Sequence, residues 1–238
     1  MDRAVEQHGR VAVSARAQDP RPLIAHACRI LDACGQSDMV WGHVSIRDRE
    51  GRGVWLKGSG LGFEEVTAED VILLSWDGEI LDGTAGRHIE YPIHTEIMRR
   101  RDEVNAVVHS HPLHSVAFAA TGWPMKHLCH DSQHFVPPEI PRFTRTSDLV
   151  ETPELGEALA DSLGDRVAIL MPHHGITTAA GSLGDAVAAA VQLERACEVA
   201  LLAGPDATGA REEDAIRKHE RSPERLAAVW KYLSRTIP

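Results

Sequence analysis

Long apolar runs are missing from this chain of 238 residues. No window approaches the roughly 18 consecutive apolar residues that a bilayer-spanning helix needs, and residues 1–16 are charged and polar where a secretory signal would be apolar. A soluble, cytoplasmic protein without a membrane partner is expected. Cysteine is scarce as well. Cys28, Cys34, Cys129 and Cys197 are scattered and contain no Cys-x-x-Cys pair, which argues against a disulfide framework and leaves free thiols, mostly in the core. Positive charge is in deficit: 25 Lys and Arg stand against 35 Asp and Glu, a net charge of −10. Such a surface has no general attraction for a polyanion, so nucleic acid is not an expected partner. Repeats and low-complexity tracts are absent too. The 43% hydrophobic and 25% charged residues suit one ordinary globular domain with a single large core.

Local patterns give the expected elements. Leu23, Ala27, Ile30, Leu31 and Cys34 recur at spacings of three and four before Gly35, an amphipathic helix with a glycine stop. Residues 41–47 alternate and read as a strand, returned by a turn at 48–53 to a second strand at 54–56; residues 71–76 and 79–81 flank an Asp-Gly turn and form another hairpin. Residues 91–101 read as a helix with Pro92 in its first turn and arginines in its last. Strands are expected at 104–108 and 167–171, and helices at 114–120, 153–163, 183–203 and 225–233. Residues 1–21 are expected to form a polar N-terminal extension, 22–204 the main domain, and 205–238 a charged linker with a terminal helix, the charged tract 206–220 reading as solvated linker or helix. Mixed helices and strands with early hairpins predict an α/β or α+β sandwich with a partly antiparallel sheet.

What the chain has in excess is histidine. Eight of its 14 histidines, at positions 88, 94, 109, 111, 114, 127, 130 and 134, fall within about a fifth of its length. The strand at 104–108 runs straight into His109-Ser-His111. Side chains two apart on a strand project to the same face, so two imidazoles stand side by side, a spacing that suits a shared metal. The strand at 167–171 also ends in histidine, at His173-His174-Gly175. Two such strand ends are expected to be neighbours in one sheet, where a third imidazole completes a His₃ set with a coordination position open to substrate. Glu90 precedes the helix at 91–101. It is either a first-turn carboxylate facing the helix dipole or, beside a metal, a base or ligand.

Five blocks in order, Gly42-His-Val-Ser-Ile-Arg47, Ser59-Gly60 with Glu65-Val-Thr67 and Asp70, Glu90 four residues before His94, Ala106-Val-Val-His-Ser-His111, and His174-Gly175, make the chain from about Pro22 to Ala203 resemble the class II aldolase/adducin family. Fuculose-phosphate and rhamnulose-phosphate aldolases and ribulose-phosphate epimerase typify that family. The resemblance implies a three-layer α/β/α domain around a largely antiparallel sheet and a homotetramer with sites between subunits. It also implies one divalent metal on His109, His111 and His174, with Glu90 as the acid/base. Zinc is the expected ion because three imidazoles suit it, with manganese or iron as the other possibilities.

The phosphosugar members carry an Asn in the early motif and a Ser-Ser pair before the glutamate; here those places hold His43 and His88-Ile89. The aldolase proton-donating tyrosine is absent after Pro124. The pattern is similar to the branch that decarboxylates hydroxylated aromatic or pyridine dicarboxylates. His130 or His134 is the candidate proton donor, His43 or Arg47 a candidate substrate contact, and His88 and His134 further contacts. Lys57 with Ser59 and Gly60 forms a loop whose cation and amides could cradle a carboxylate. The resulting expectation is a metal-dependent carbon–carbon lyase, aldolase or decarboxylase, acting on a small non-phosphorylated hydroxy, keto or hydroxy-aromatic acid through a metal-stabilised enolate. Epimerisation or dehydration, Fe(II) oxygenation, and a non-catalytic adducin-like interaction domain are the alternatives; an interaction domain has no need of the three histidines.

Overall fold

Alternation along the strands decides which side chains meet which layer of helices. The computed structural model describes residues 19–237, so the expected N-terminal extension lies outside the described residues up to residue 18. Seven strands, β1 (His43–Arg47), β2 (Gly53–Lys57), β3 (Val71–Ser75), β4 (Ile80–Asp82), β5 (Ala106–Ser110), β6 (Ala168–Met171) and β7 (Gly175–Ala180), form one sheet in the order β4-β3-β2-β1-β5-β7-β6. Every pairing in it is antiparallel. The helices are α1 (Arg21–Ala33), α2 (Pro92–Arg100), α3 (Leu113–Thr121), α4 (Pro153–Leu163), α5 (Leu183–Ala203), α6 (Glu212–Glu220) and α7 (Pro223–Thr236).

One set of strand residues, Val44, Trp55, Val71, Leu73, Ala106, Val108 and Leu170, packs with residues of α1 and α5. Their neighbours in sequence, Val54, Leu56, Ile72, Leu74, Val107, Ile169 and Met171, pack with α2 and α4. Side chains that alternate between two apolar layers produce the expected three-layer α/β/α arrangement. Helix α2 forms because Pro92 pre-sets its first turn, Ile93, Ile97 and Met98 give it a fully buried face, and Arg99 and Arg100 sit where its carbonyls end. Burial of each such side chain stabilises the fold by about 1.5–3 kcal/mol.

Strand β7 and the extent of helix α7 differ from the sequence reading. Residues 175–180, for which the pattern gives no element, are β7, and it lies between β5 and β6. The histidine-bearing strands are therefore not neighbours; each is antiparallel to β7, so both run the same way and their C-terminal ends meet at one edge. Gly-Ile-Thr-Thr-Ala-Ala has no apolar/polar alternation because β7 is buried on both faces. Helix α7 extends beyond the expected 225–233, its Trp230 packed on the core. Of the two readings of the charged tract at 206–220, the helical one holds for α6, acidic in its first turn and basic in its last. All four cysteines are free, Cys28 and Cys197 buried and the other two half-buried.

Candidate metal centre

The C-terminal ends of β5 and β6 bring together three histidines from distant parts of the chain. His109 is the fourth residue of β5, His111 follows the strand on the same side, and His174 occupies the β6–β7 turn, its N–H donating to the Met171 carbonyl at 3.0 Å. Glu90, just before α2, joins them. One ligand atom from each of Glu90, His109, His111 and His174 lies within 4.8 Å of the others, the only such group among the described residues. His109 Nε2 and His111 Nε2 are 3.0 Å apart, and Glu90 Oε2 is 3.4 Å from His174 Nε2 and 3.8 Å from His109 Nε2.

Three features show that these residues fit a divalent cation. His174 Nε2 is buried without a hydrogen-bond partner, a deficit that a metal bond would remove. His109 Nδ1 lies 3.2 Å from Thr177 Oγ1, whose hydroxyl donates to Met171 Sδ; with the threonine oxygen as acceptor, the His109 proton belongs on Nδ1 and the Nε2 lone pair faces the cluster. Burial, and then the neighbouring His111 and His174, push His109 well below the ordinary histidine range; burial and His174 lower His111 in the same direction. Neutral imidazoles are what a metal requires. Glu90 is held in place by its other oxygen, Oε1, which accepts the Val150 N–H at 2.7 Å.

Gly175 follows His174 for a steric reason. A Cβ there would stand 2.5 Å from the Ser110 carbonyl oxygen and 2.6 Å from His111 Cδ2, so only glycine lets β7 approach β5 beside the His111 ring. His173, at φ 64, turns the chain and lines the adjoining cavity, while His174 belongs to the ligand group.

That cavity has a volume of about 440 Å³ and is lined by His43, His88, Ser59, Gly60 and Trp41 among others. His43, on β1, stacks on His109 with ring centroids 4.8 Å apart and touches His88 at 4.5 Å. Burial pushes His88 down to about 4, with the nearby Lys57 ammonium adding to the shift, and pushes His94 to about 3. The residues that the sequence reading overlooks are His94, which contacts His43 from α2, and Arg87, Asp38 and Leu149 on the cavity wall. His94 was signalled by its membership of the histidine cluster and by its place four residues after Glu90, one helical turn on.

Other expected site residues stand elsewhere. Lys57 is fully buried on the α1 side of the sheet, because it shares strand parity with Trp55; its Nζ lies 3.3 Å from the Gly58 carbonyl and 3.5 Å from His88 Nε2, behind the cavity wall. Burial lowers Lys57 to about 8. The cradle of loop amides is reduced as well, since Gly58 N–H donates to Asp70 and Ser59 N–H to Gly86. Arg47 binds the carbonyls of Met98, Arg101 and Val104 and so clamps the end of α2 instead of meeting substrate. Neither His130 nor His134 lines this cavity. His130 is exposed, and His134 lines a separate cavity with Arg101, Arg166 and His219.

The comparisons with known proteins agree with this geometry. The profile of the family described as the Class II Aldolase and Adducin N-terminal domain matches residues 22–201. The chain is 31% identical to a 3,4-dihydroxyphthalate decarboxylase of Arthrobacter keyseri, over 88% of this chain and 95% of that protein. It is 27% identical to a 5-deoxy-D-ribulose 1-phosphate aldolase of Bacillus thuringiensis, over 74% and 81%. Among solved structures, an L-fuculose 1-phosphate aldolase from Glaciozyma antarctica superposes with a TM-score of 0.80 at 26% identity, covering 91% of this chain and 87% of that one. The chain belongs to the class II aldolase and adducin N-terminal domain family.

Proposed function

We propose that this lyase is a divalent-metal-dependent decarboxylase that removes CO₂ from a small, non-phosphorylated, hydroxylated aromatic acid. The lining of the cavity carries the reading. Beside the four-residue cluster stand the imidazoles of His43 and His88, the indole of Trp41, and the aliphatic Ile89 and Leu149, surfaces on which a planar ring packs well. The similarity to 3,4-dihydroxyphthalate decarboxylase supports the same substrate class.

His109, His111 and His174 would hold the ion through one ring nitrogen each, and zinc suits that donor set best. Such an ion supplies a Lewis acid that stabilises the negative charge left on the organic acid when its carbon–carbon bond breaks. Glu90, anchored through Oε1, keeps Oε2 at the cluster. It is placed to deliver the proton that the ring carbon takes up after the bonding pair stays on carbon and CO₂ departs. The acidic overall charge repels an anionic substrate, so Arg87 at the cavity would attract it locally, together with the charge of an ion held by the histidines. Copies of the chain are proposed to assemble as a homotetramer, with the exposed Met39 and Leu113 as surfaces a neighbour would cover.

A second reading keeps the site and changes the bond: aldol cleavage, favoured by the similarity to the deoxyribulose-phosphate aldolase. Zinc-loaded protein given hydroxylated aromatic acids, 3,4-dihydroxyphthalate among them, beside keto acids and sugar phosphates separates the two. CO₂ release from an aromatic acid is expected. Aldehyde formation from a keto acid or sugar phosphate, with no CO₂ from any aromatic acid, overturns the proposal in favour of aldol cleavage.

A further inference from the structure

Behind the cavity wall, on the α2 side of the sheet, three buried side chains form a line. Ser45 Oγ lies 2.6 Å from His94 Nδ1, and His94 Nε2 lies 2.6 Å from His43 Nδ1. Ser45 and His43 are two apart on β1, so both face α2, where His94 stands one turn after Glu90. Ser45 and His94 are fully buried, and His43 is the member of the line that reaches the cavity.

The hydrogen inventory of this line has a direction. A neutral imidazole carries one N–H and offers one lone pair. In the outward arrangement, the Ser45 hydroxyl donates to His94 Nδ1, His94 Nε2–H donates to His43 Nδ1, and His43 bears its own proton on Nε2. In the inward arrangement, His43 Nδ1–H donates to His94 Nε2 and His94 Nδ1–H donates to Ser45 Oγ. The serine hydrogen then has no acceptor, because Ser45 Oγ makes no other hydrogen bond among the described residues. A buried hydroxyl with an unmade bond is the costly state, so the outward arrangement prevails. The nitrogen of His43 left for the cavity is then an N–H.

We propose that Ser45 and His94 are positioning residues that lock His43 in its Nε2–H tautomer, making it a fixed, neutral hydrogen-bond donor to an oxygen of the bound acid beside the metal. The inference rests on the proposed function for the identity of that acid, and on the hydrogen-bond geometry alone for the tautomer. A donor aimed at an oxygen that gains charge as the carbon–carbon bond breaks lowers the barrier without moving during the reaction. It also selects the ligand: an oxygen that can only accept, as in a carboxylate or phenolate, satisfies the site, whereas a group that must donate there leaves His43 unpaired.

The test is the tautomer of His43, read by ¹⁵N NMR of histidine-labelled, zinc-loaded protein at neutral pH, in wild type, Ser45→Ala, Ser45→Thr and His94→Gln. Wild type, Ser45→Thr and His94→Gln are expected to show the Nε2–H form, since threonine keeps the hydroxyl and a glutamine amide can still donate to His43 Nδ1. Ser45→Ala is expected to show mixed tautomers with unchanged zinc content. On the acid that the enzyme decarboxylates, Ser45→Ala should lower kcat about tenfold to a hundredfold with a smaller change in KM, and Ser45→Thr should restore it. A wild-type His43 protonated on Nδ1, or an unaltered tautomer in Ser45→Ala, overturns the inference whatever the substrate proves to be. The expected tautomers without decarboxylation of any aromatic acid would count against the proposed function and uphold the lock.

Discussion

His109 and His111 close a strand, whereas His127, His130 and His134 follow in the irregular stretch between α3 and α4, and the same residue type meets two fates. At the strand end, nitrogens from β5 and the β6–β7 turn converge with Glu90 to within 4.8 Å. In the later stretch they diverge: His130 is exposed, His134 faces His219 and Arg166, and His127 Nε2 is buried and unpartnered but stands alone. An unpartnered nitrogen alone thus makes no candidate metal site; several donor atoms that converge do. A sheet supplies convergence because parallel-running strand ends share an edge and every second side chain shares a face, and an irregular segment has no such rule.

The largest effect should come from the converging group. Glu90→Gln is expected to keep zinc at one ion per chain and an unchanged circular dichroism spectrum while turnover falls by about 10²–10⁴-fold, a loss typical of a removed proton carrier; full activity would remove Glu90 from the chemistry. Gly175→Ala should come next. Its methyl group would strike the Ser110 carbonyl and the His111 ring, so zinc affinity measured by competition with a chelator should drop about tenfold or more. An unaltered affinity would show that β7 can shift without disturbing His111.

Smaller effects are expected from the diverging group. His130→Gln and His134→Gln should retain zinc content and leave turnover within about twofold, since neither residue lines the cavity; a loss comparable to Glu90→Gln would return them to the reaction. His134 matters instead for stability. Burial lowers it to about 4 from an ordinary value of 6.5, so the fold prefers it neutral. Its contribution is complete above pH 6.5 and is lost as the pH falls towards 4. In zinc-free protein the melting temperature should decline more shallowly over that interval for His134→Gln than for wild type, by a few degrees at pH 4.5; parallel declines would contradict the assignment.

Much of this was legible in the sequence where one rule dominates locally. Helices α4 and α5 and the first hairpin follow from apolar spacing, proline starts and glycine stops. The candidate cluster was legible in part, because His-x-His at a strand end is a short-range pattern, whereas it was the family resemblance and not the spacing that favoured His174 over His173. What stayed hidden depends on the other layers of the fold. Strand β7 shows no alternation because it has core on both sides. Lys57 looks like a loop cation until the parity of β2 turns it towards α1. Arg47 sits in a motif beside His43, yet its guanidinium reaches carbonyls more than fifty residues away. Ser45 and His94 gain their meaning only when β1 and α2 are packed together.

The most direct test of the account is metal stoichiometry, measured by elemental analysis after equilibration with zinc and removal of free ion, in wild type and in the His109→Ala/His111→Ala double variant. One zinc per chain in wild type and less than about a tenth of that in a folded double variant is the predicted result, since two of three imidazoles are gone. A wild-type protein that retains no divalent metal, or a double variant that retains as much as wild type, would contradict the metal centre on which the proposed chemistry stands.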